Sequence, residues 1–148
     1  MASFTPNFTI NDIENDFKQF IDGIISDGVE AGCKTLKKIV DKARARTKSE
    51  NGFGNITWNL RASIGGVVVS DHQIVFTYFP KISQAPEGNT KGPAYARELA
   101  SLVDDGGIII ILVAGMDYAS FVEAKGYDVI THSSKAFEGE FLSLIKSK

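Results

Sequence analysis

Gly107-Ile108-Ile109-Ile110-Ile111-Leu112-Val113-Ala114-Gly115 runs directly into Met116-Asp117-Tyr118-Ala119-Ser120-Phe121-Val122-Glu123-Ala124-Lys125-Gly126-Tyr127. The first part is the most apolar run in the chain. It is β-branched and of strand length, so it reads as a strand at 107–114 with both faces covered, at the centre of a sheet. The second part reads as a short helix at 117–125 that begins where the strand ends. Covering two faces of one strand takes helices, and the flanking sequence provides them. The expected class is α+β: a long N-terminal amphipathic helix on a small mixed or antiparallel sheet, with further helices at about 94–104, 117–125 and 134–146.

Upstream, Gly65-Gly66-Val67-Val68-Val69-Ser70 and Gln73-Ile74-Val75-Phe76-Thr77-Tyr78-Phe79 are β-branched and aromatic, and Asp71-His72 between them predicts a tight hairpin over 65–79. Further upstream, Ile13, Phe17, Phe20, Ile21, Ile24, Ile25, Val29, Cys33, Leu36, Ile39, Val40 and Ala43 recur at helical spacing without a proline. Asn11 or Asp12 can cap this segment, so 11–48 reads as one long helix or two nearly collinear ones. Gly28 and Gly32 share one face of it. Each costs about 1 kcal/mol relative to alanine, which calls for close approach of another backbone or for a local bend. The helix is acidic at its start and basic from Lys34 to Lys48, matching its dipole. That basic stripe reads as a solvated face or as a face toward phosphate or a partner.

Between the hairpin and the strand, 80–92 reads as a mobile loop, of a length that is often functional. Pro93 suits the first turn of the helix at 94–104, with Tyr95, Leu99, Leu102 and Val103 on one side. Thr57 can cap a short helix over 58–63, with Trp58 as a core anchor. Tyr127 to Thr131 reads as a short last strand. Ser133 or Ser134 would cap the final helix, with Phe137, Phe141, Leu142 and Ile145 inward.

At 148 residues the chain is expected to be one domain, 1–148. A net charge of −2 gives no reason to expect nucleic acid as an equilibrium ligand. The single cysteine, Cys33, excludes an internal disulfide and lies on an apolar helix face, as an inert thiol would. The N-terminus lacks the basic start and apolar core of a secretory signal, and the run Ile108–Val113 falls far short of the roughly 20 residues a membrane helix needs. The expected setting is the cytosol, or a particle assembled there.

Chemistry-bearing residues do not converge. His72 and His132 lack metal-ligand spacing, Cys33 is in a helix core, and Ser133 or Ser134 beside His132 reads as a cap rather than a nucleophile. Gly52-Phe53-Gly54 has no strand before it and no phosphate-binding residues after it. No catalytic, metal or cofactor residue is expected, and the chain reads as a non-enzyme.

Two segments resemble one family. Thr57-Trp58-Asn59-Leu60-Arg61-Ala62-Ser63-Ile64 precedes the hairpin, and Asp117-Tyr118-Ala119-Ser120-Phe121-Val122-Glu123-Ala124-Lys125-Gly126 follows the apolar strand. Together they resemble the small neck, head–tail joining and tail-completion proteins (minor tail component group) of tailed bacteriophages. The shared positions are Thr57, Leu60, Arg61, Ser63, Ile64, Tyr118, Ala119, Val122, Glu123 and Gly126. Trp58 stands where that family usually has glycine, Ala124-Lys125-Gly126 replaces its common aromatic–glycine pair, and 82–92 with the helix after it looks like an insertion.

The resemblance implies a virion protein, assembled in the bacterial host cytoplasm. It would form a homo-oligomeric ring at the head–tail junction, as tail terminator, tail-completion factor or neck ring. Portal, adaptor or tail proteins would be its neighbours, and DNA would pass through its lumen without sequence-specific binding or any membrane. Candidate assembly surfaces are the Gly28/Gly32 face, the hairpin edge and the loop with Pro86, Glu87 and Gly88. Tyr118 is expected to orient the 117–125 helix, and Glu123 to pair with Arg61. The rival reading is a stand-alone small α+β ligand- or protein-binding module without catalytic activity. A regulator acting on nucleic acid would need a larger basic face than Lys34–Lys48 supplies.

Overall fold

The computed structural model describes residues 7, 9–46, 58–117, 119–124 and 129–146, apart from the side chains of 121 and 122. The fold is α+β: a long N-terminal helix, a three-stranded antiparallel sheet and further short helices. Helix α1 is Ile10–Ala45, a single 36-residue element. It starts earlier than Asn11 or Asp12 predict, because Thr9 caps it. The Thr9 hydroxyl accepts from the Asp12 N–H at 3.2 Å, and the Asp12 carboxylate accepts from the Thr9 N–H at 2.7 Å. This reciprocal box satisfies two N-terminal donors at once.

Strands β1 (Ile64–Ser70), β2 (Gln73–Tyr78) and β3 (Ile108–Ala114) form the sheet in the order β2-β1-β3. The strand placed at the centre by its composition is therefore an edge strand, and β1 is central. The physical reason is that both faces of β3 are covered wherever it stands in the sheet. Ile108, Ile110 and Leu112 face α1, while Ile109, Ile111 and Val113 face the helix on the other side. Asp71 and His72 both have positive φ, 49° and 64°, which is the two-residue hairpin geometry that matches strand twist. A bulge falls between Val68 and Val69.

Helix α3 is Pro86–Ser101, so the second half of the segment read as a loop is helical. Pro86, not Pro93, holds the first-turn position, and Pro93 lies inside the helix. Interior proline costs about 3 kcal/mol. Two side-chain clamps offset it. Asn59 Oδ1 accepts from the Gly88 N–H at 3.0 Å, capping α3 from a distant element. Asn89 both accepts from the Ile82 N–H (3.0 Å) and donates to the Ile82 carbonyl (2.7 Å). The buried face of α3 is Gly88, Gly92 and Ala96; of the large residues predicted to share a side, Leu99 packs against this core and Val103 is half-buried, while Tyr95 and Leu102 are exposed.

The remaining helices are α2 (Asn59–Ala62), α4 (Ala119–Ala124), α5 (Thr131–Lys135) and α6 (Phe137–Lys146). The last two replace the single helix expected at 134–146, and 129–130 are not strand. Neither serine caps: Ser134 Oγ donates back to the Thr131 carbonyl at 2.7 Å, and Ser133 is fully buried. Trp58 is not a core anchor. It is 40% exposed and precedes α2 with φ 64°.

From Gly28 onward α1 lies along the sheet, with α6 beside it. Leu36, Val40 and Val68 form the core on this side. Val67, Val69, Ala96 and Val113 form it on the α3 side. A third cluster of Ala43, Leu60, Ile64, Met116, Ala119 and Val129 closes the end of the sheet where α1 stops.

Candidate functional site

The motif residues gather at that closed end, and their work there is structural. Leu60 and Ile64 are in the third cluster, with Ala119. Ser63 Oγ donates to the Leu60 carbonyl at 2.7 Å, and Arg61 Nη2 donates to the Arg46 carbonyl at 2.8 Å, tying α2 to the end of α1. Thr57, Tyr118, Gly126 and the side chain of Val122 lie outside the described residues, so the role expected for Tyr118 does too.

The centre of this end is Arg44, which the sequence groups with the solvated or partner-facing basic stripe and the structure buries. Arg44, 9% exposed, donates from Nε to the Ile64 carbonyl (2.8 Å), from Nη2 to Ala62 (2.8 Å) and from Nη1 to Pro80 (2.5 Å). One guanidinium thus joins α1, α2, the start of β1 and the exit of β2. Burial pulls its pKa down to about 10, against the raising influence of Tyr78 and Asp41. It holds the cation because a planar fork matches several acceptors at once.

Glu123 does not pair with Arg61. Its Oε1 accepts from the N–H groups of Val129 (3.2 Å), Ile130 (2.9 Å) and Thr131 (3.0 Å), and Oε2 accepts from Thr131 Oγ1 at 2.7 Å. The carboxylate therefore caps α5, where free donors await an acceptor. Burial raises its pKa, but these hydrogen bonds outweigh that and hold it below the ordinary 4.5. A lowered folded-state pKa gives stability above the unfolded value and loses it as pH falls through the folded one. Glu123→Gln is accordingly expected to lower the melting temperature at pH 7 by about 2–4 °C, with the gap closing below about pH 4. Thermal melts from pH 7 to pH 3 check this. A gap independent of pH would contradict it.

The glycines proposed as assembly surface are used internally. A Cβ on Gly28 would stand 2.8 Å from Ile108 Cδ1, and one on Gly32 would stand 3.1 Å from Ile110 Cδ1. What approaches them is not another backbone but the isoleucine side chains of the chain's own sheet. Gly88 is likewise buried, and a Cβ there would collide with the Asn59 carbonyl. Pro86 and Glu87 remain exposed.

The surface that is left without a use lies on the same helix, further toward its start. Every residue from Thr9 to Asp27 is exposed. At about 1.5 Å per residue, residues 10–27 form an arm about 27 Å long that continues α1 past the hairpin end of the sheet. Its apolar residues Ile10, Ile13, Phe17, Phe20 and Ile24 recur at alternating spacings of three and four, widened by Ile21 and Ile25. Ile10 is 75% exposed, and Phe17 and Phe20 are each 65% exposed. An apolar stripe with this spacing is the seam of a packed helix. An isolated helix of this length is marginal in water.

Elsewhere, an open groove of about 550 Å³ lies between α3 and the residues after β3, lined by Lys91, Tyr95, Glu98, Met116 and Asp117 among others. Lys91 is occupied there by Glu87 (2.8 Å) and Asp117 (3.4 Å). Among the described residues no three of His, Cys, Asp and Glu are placed to hold a metal ion, and no helix is long and apolar enough to cross a membrane. Burial raises the Cys33 thiol pKa despite Lys37 nearby, which keeps the thiol protonated. No family model matches the chain, and neither a curated protein nor a solved structure matches it.

Proposed function

We propose that this chain is a non-catalytic structural subunit that self-assembles through the first half of α1 into a closed ring. The observation that carries the reading is the arm: a capped, apolar-striped helix, wholly exposed, rigidly continuous with a helix anchored in the core. Because residues 10–27 extend the same helix that lies on the sheet, they point away from their own body. No described residue of the chain covers them, and the cover we propose is another copy. A contact between an extension of one copy and the body of the next is heterologous, and heterologous contacts that close by rotation make rings.

The place of that ring is the head–tail junction of a tailed bacteriophage or prophage, as tail-completion, tail-terminator or neck ring around the DNA channel. This part of the proposal rests on the resemblance of residues 57–64 and 117–126 to that family. The mild negative charge accords with it, since strong phosphate contacts would retard DNA in a channel. The test is negative-stain imaging of the purified protein across concentration, alone and after addition to tail-less heads and head-less tails. The expected result is a uniform ring with a lumen that admits duplex DNA. A protein that stays monomeric throughout and joins neither particle would overturn the proposal.

A further inference from the structure

The arm has a matching surface on the body of the same chain. Helix α6 carries Phe137, Phe141, Leu142, Leu144 and Ile145, yet none of its residues is buried. Phe137 and Phe141 stack on each other with centroids 6.1 Å apart and are mostly but not fully covered, whereas Leu142 is 42% and Ile145 36% exposed. The helix lies beside the second half of α1, joined to it by Lys38 and Glu140 at 2.6 Å. The α1/α6 groove is thus a partly covered apolar surface with Lys38 on α1 and with Glu138 and Glu140 on α6.

The two surfaces are complementary in charge. The arm carries Asp12, Glu14, Asp16, Asp22 and Asp27 against Lys18 alone. The exposed second half of α1 carries Lys34, Lys37, Lys38 and Lys42 against Glu30 and Asp41, with Lys34 on Glu30 at 2.7 Å and Arg44 turned into the core. Pairing two arms with each other would bring acidic flanks together, which costs free energy; placing an arm along the basic half of another copy's α1 is favourable. On the opposite flank of α1, Lys37 already covers the rings of Phe76 and Tyr78, and the Tyr78 hydroxyl donates to Asp41 at 2.7 Å.

We infer that the arm of one copy docks along the α1/α6 groove of the next, its Ile13, Phe17, Phe20 and Ile24 stripe against Phe137, Phe141, Leu142 and Ile145, with Lys34 and Lys38 beside its acidic flank. The inference rests on the assembly reading above and specifies the contact that builds it. The contact is directional, so each subunit gives one arm and receives one.

The experiment uses the full chain with Cys33→Ala, which removes the lone thiol. Ile21→Cys is placed in the arm of one preparation and Leu142→Cys in the groove of another, and both are treated with a short bis-maleimide. The expected result is a cross-linked dimer in the mixture that neither preparation yields alone, and a yield that falls at high salt. A dimer formed by the Ile21→Cys protein alone, with none added by mixing, would show arm–arm pairing and overturn the inference while leaving self-assembly intact. Multi-subunit particles by light scattering without the mixed cross-link would do the same. Monomers at every concentration, with no cross-link of any kind, would overturn the inference and also count against the assembly reading.

Discussion

Phe17→Asp with Phe20→Asp is expected to abolish self-association and leave folding unchanged. Both rings are 65% exposed and lie on the arm, away from the three buried clusters. Exposed substitutions of this kind change stability by roughly 0.5 kcal/mol or less. At a subunit contact the same rings would be covered. Covering a phenylalanine contributes about 1.5–3 kcal/mol, so losing two weakens association by about 3–6 kcal/mol, or roughly two to four orders of magnitude. The acidic replacements would also face apolar α6 in the partner, which adds desolvation cost. Thermal melting and light scattering together check this. The contradicting results are a variant that keeps the parent's mass, or one that unfolds because the arm belongs to the monomer's core.

Arg44→Ala is expected to have the opposite profile, with the fold lost first. Its three carbonyl partners, Ile64, Ala62 and Pro80, come from different elements, and two of its three hydrogen bonds are buried. Removing the donor leaves acceptors unsatisfied at about 1–3 kcal/mol each and opens a cavity beside Ala43 and Ile64. The expected loss is about 3–5 kcal/mol, a large fraction of a domain's total stability. Arg44→Lys should recover only part of it, because one ammonium cannot span three acceptors set for a planar fork. Urea midpoints of the three proteins measure this. A loss below about 1 kcal/mol for the alanine variant would contradict the role assigned to Arg44.

The elements whose signal is periodic were readable from the chain itself. The apolar recurrence from Ile13 to Ala43 is one helix, Asp71-His72 is the hairpin turn, and Ile108–Ala114 is a strand. Periodicity does not say what covers a stripe. The same helix face runs from Ile10 to Ala43, and only side-chain size divides it. Gly28, Ala31, Gly32 and Thr35 are small because the sheet approaches there, whereas Ile10, Phe17 and Phe20 are large and stand free of it. Without that contrast, Gly28 and Gly32 read as an outward surface.

Helix α3 was hidden by its own chemistry. Pro86, Gly88, Gly92 and Pro93 are turn residues by composition, but here they serve a first turn and a close approach to Asn59 and Ser63. Its cap comes from Asn59, a long-range partner that no local window shows. Similarly, the strand Ile108–Ala114 gave no sign of being at an edge, since its two faces are covered by different helices. Trp58 is informative in the other direction. It takes φ 64°, a backbone region that glycine adopts without strain and a bulky side chain seldom does.

Arm coverage on assembly is the central claim, and amide hydrogen exchange measures it directly. Exchange at residues 10–27 should be fast in dilute protein, where the arm is exposed and frays, and slow at concentrations where light scattering shows many subunits. Residues 28–45, packed on the sheet, should be slow in both. Equally fast exchange of the arm in monomer and assembly would contradict the account, because the subunits would then be joined by some other surface.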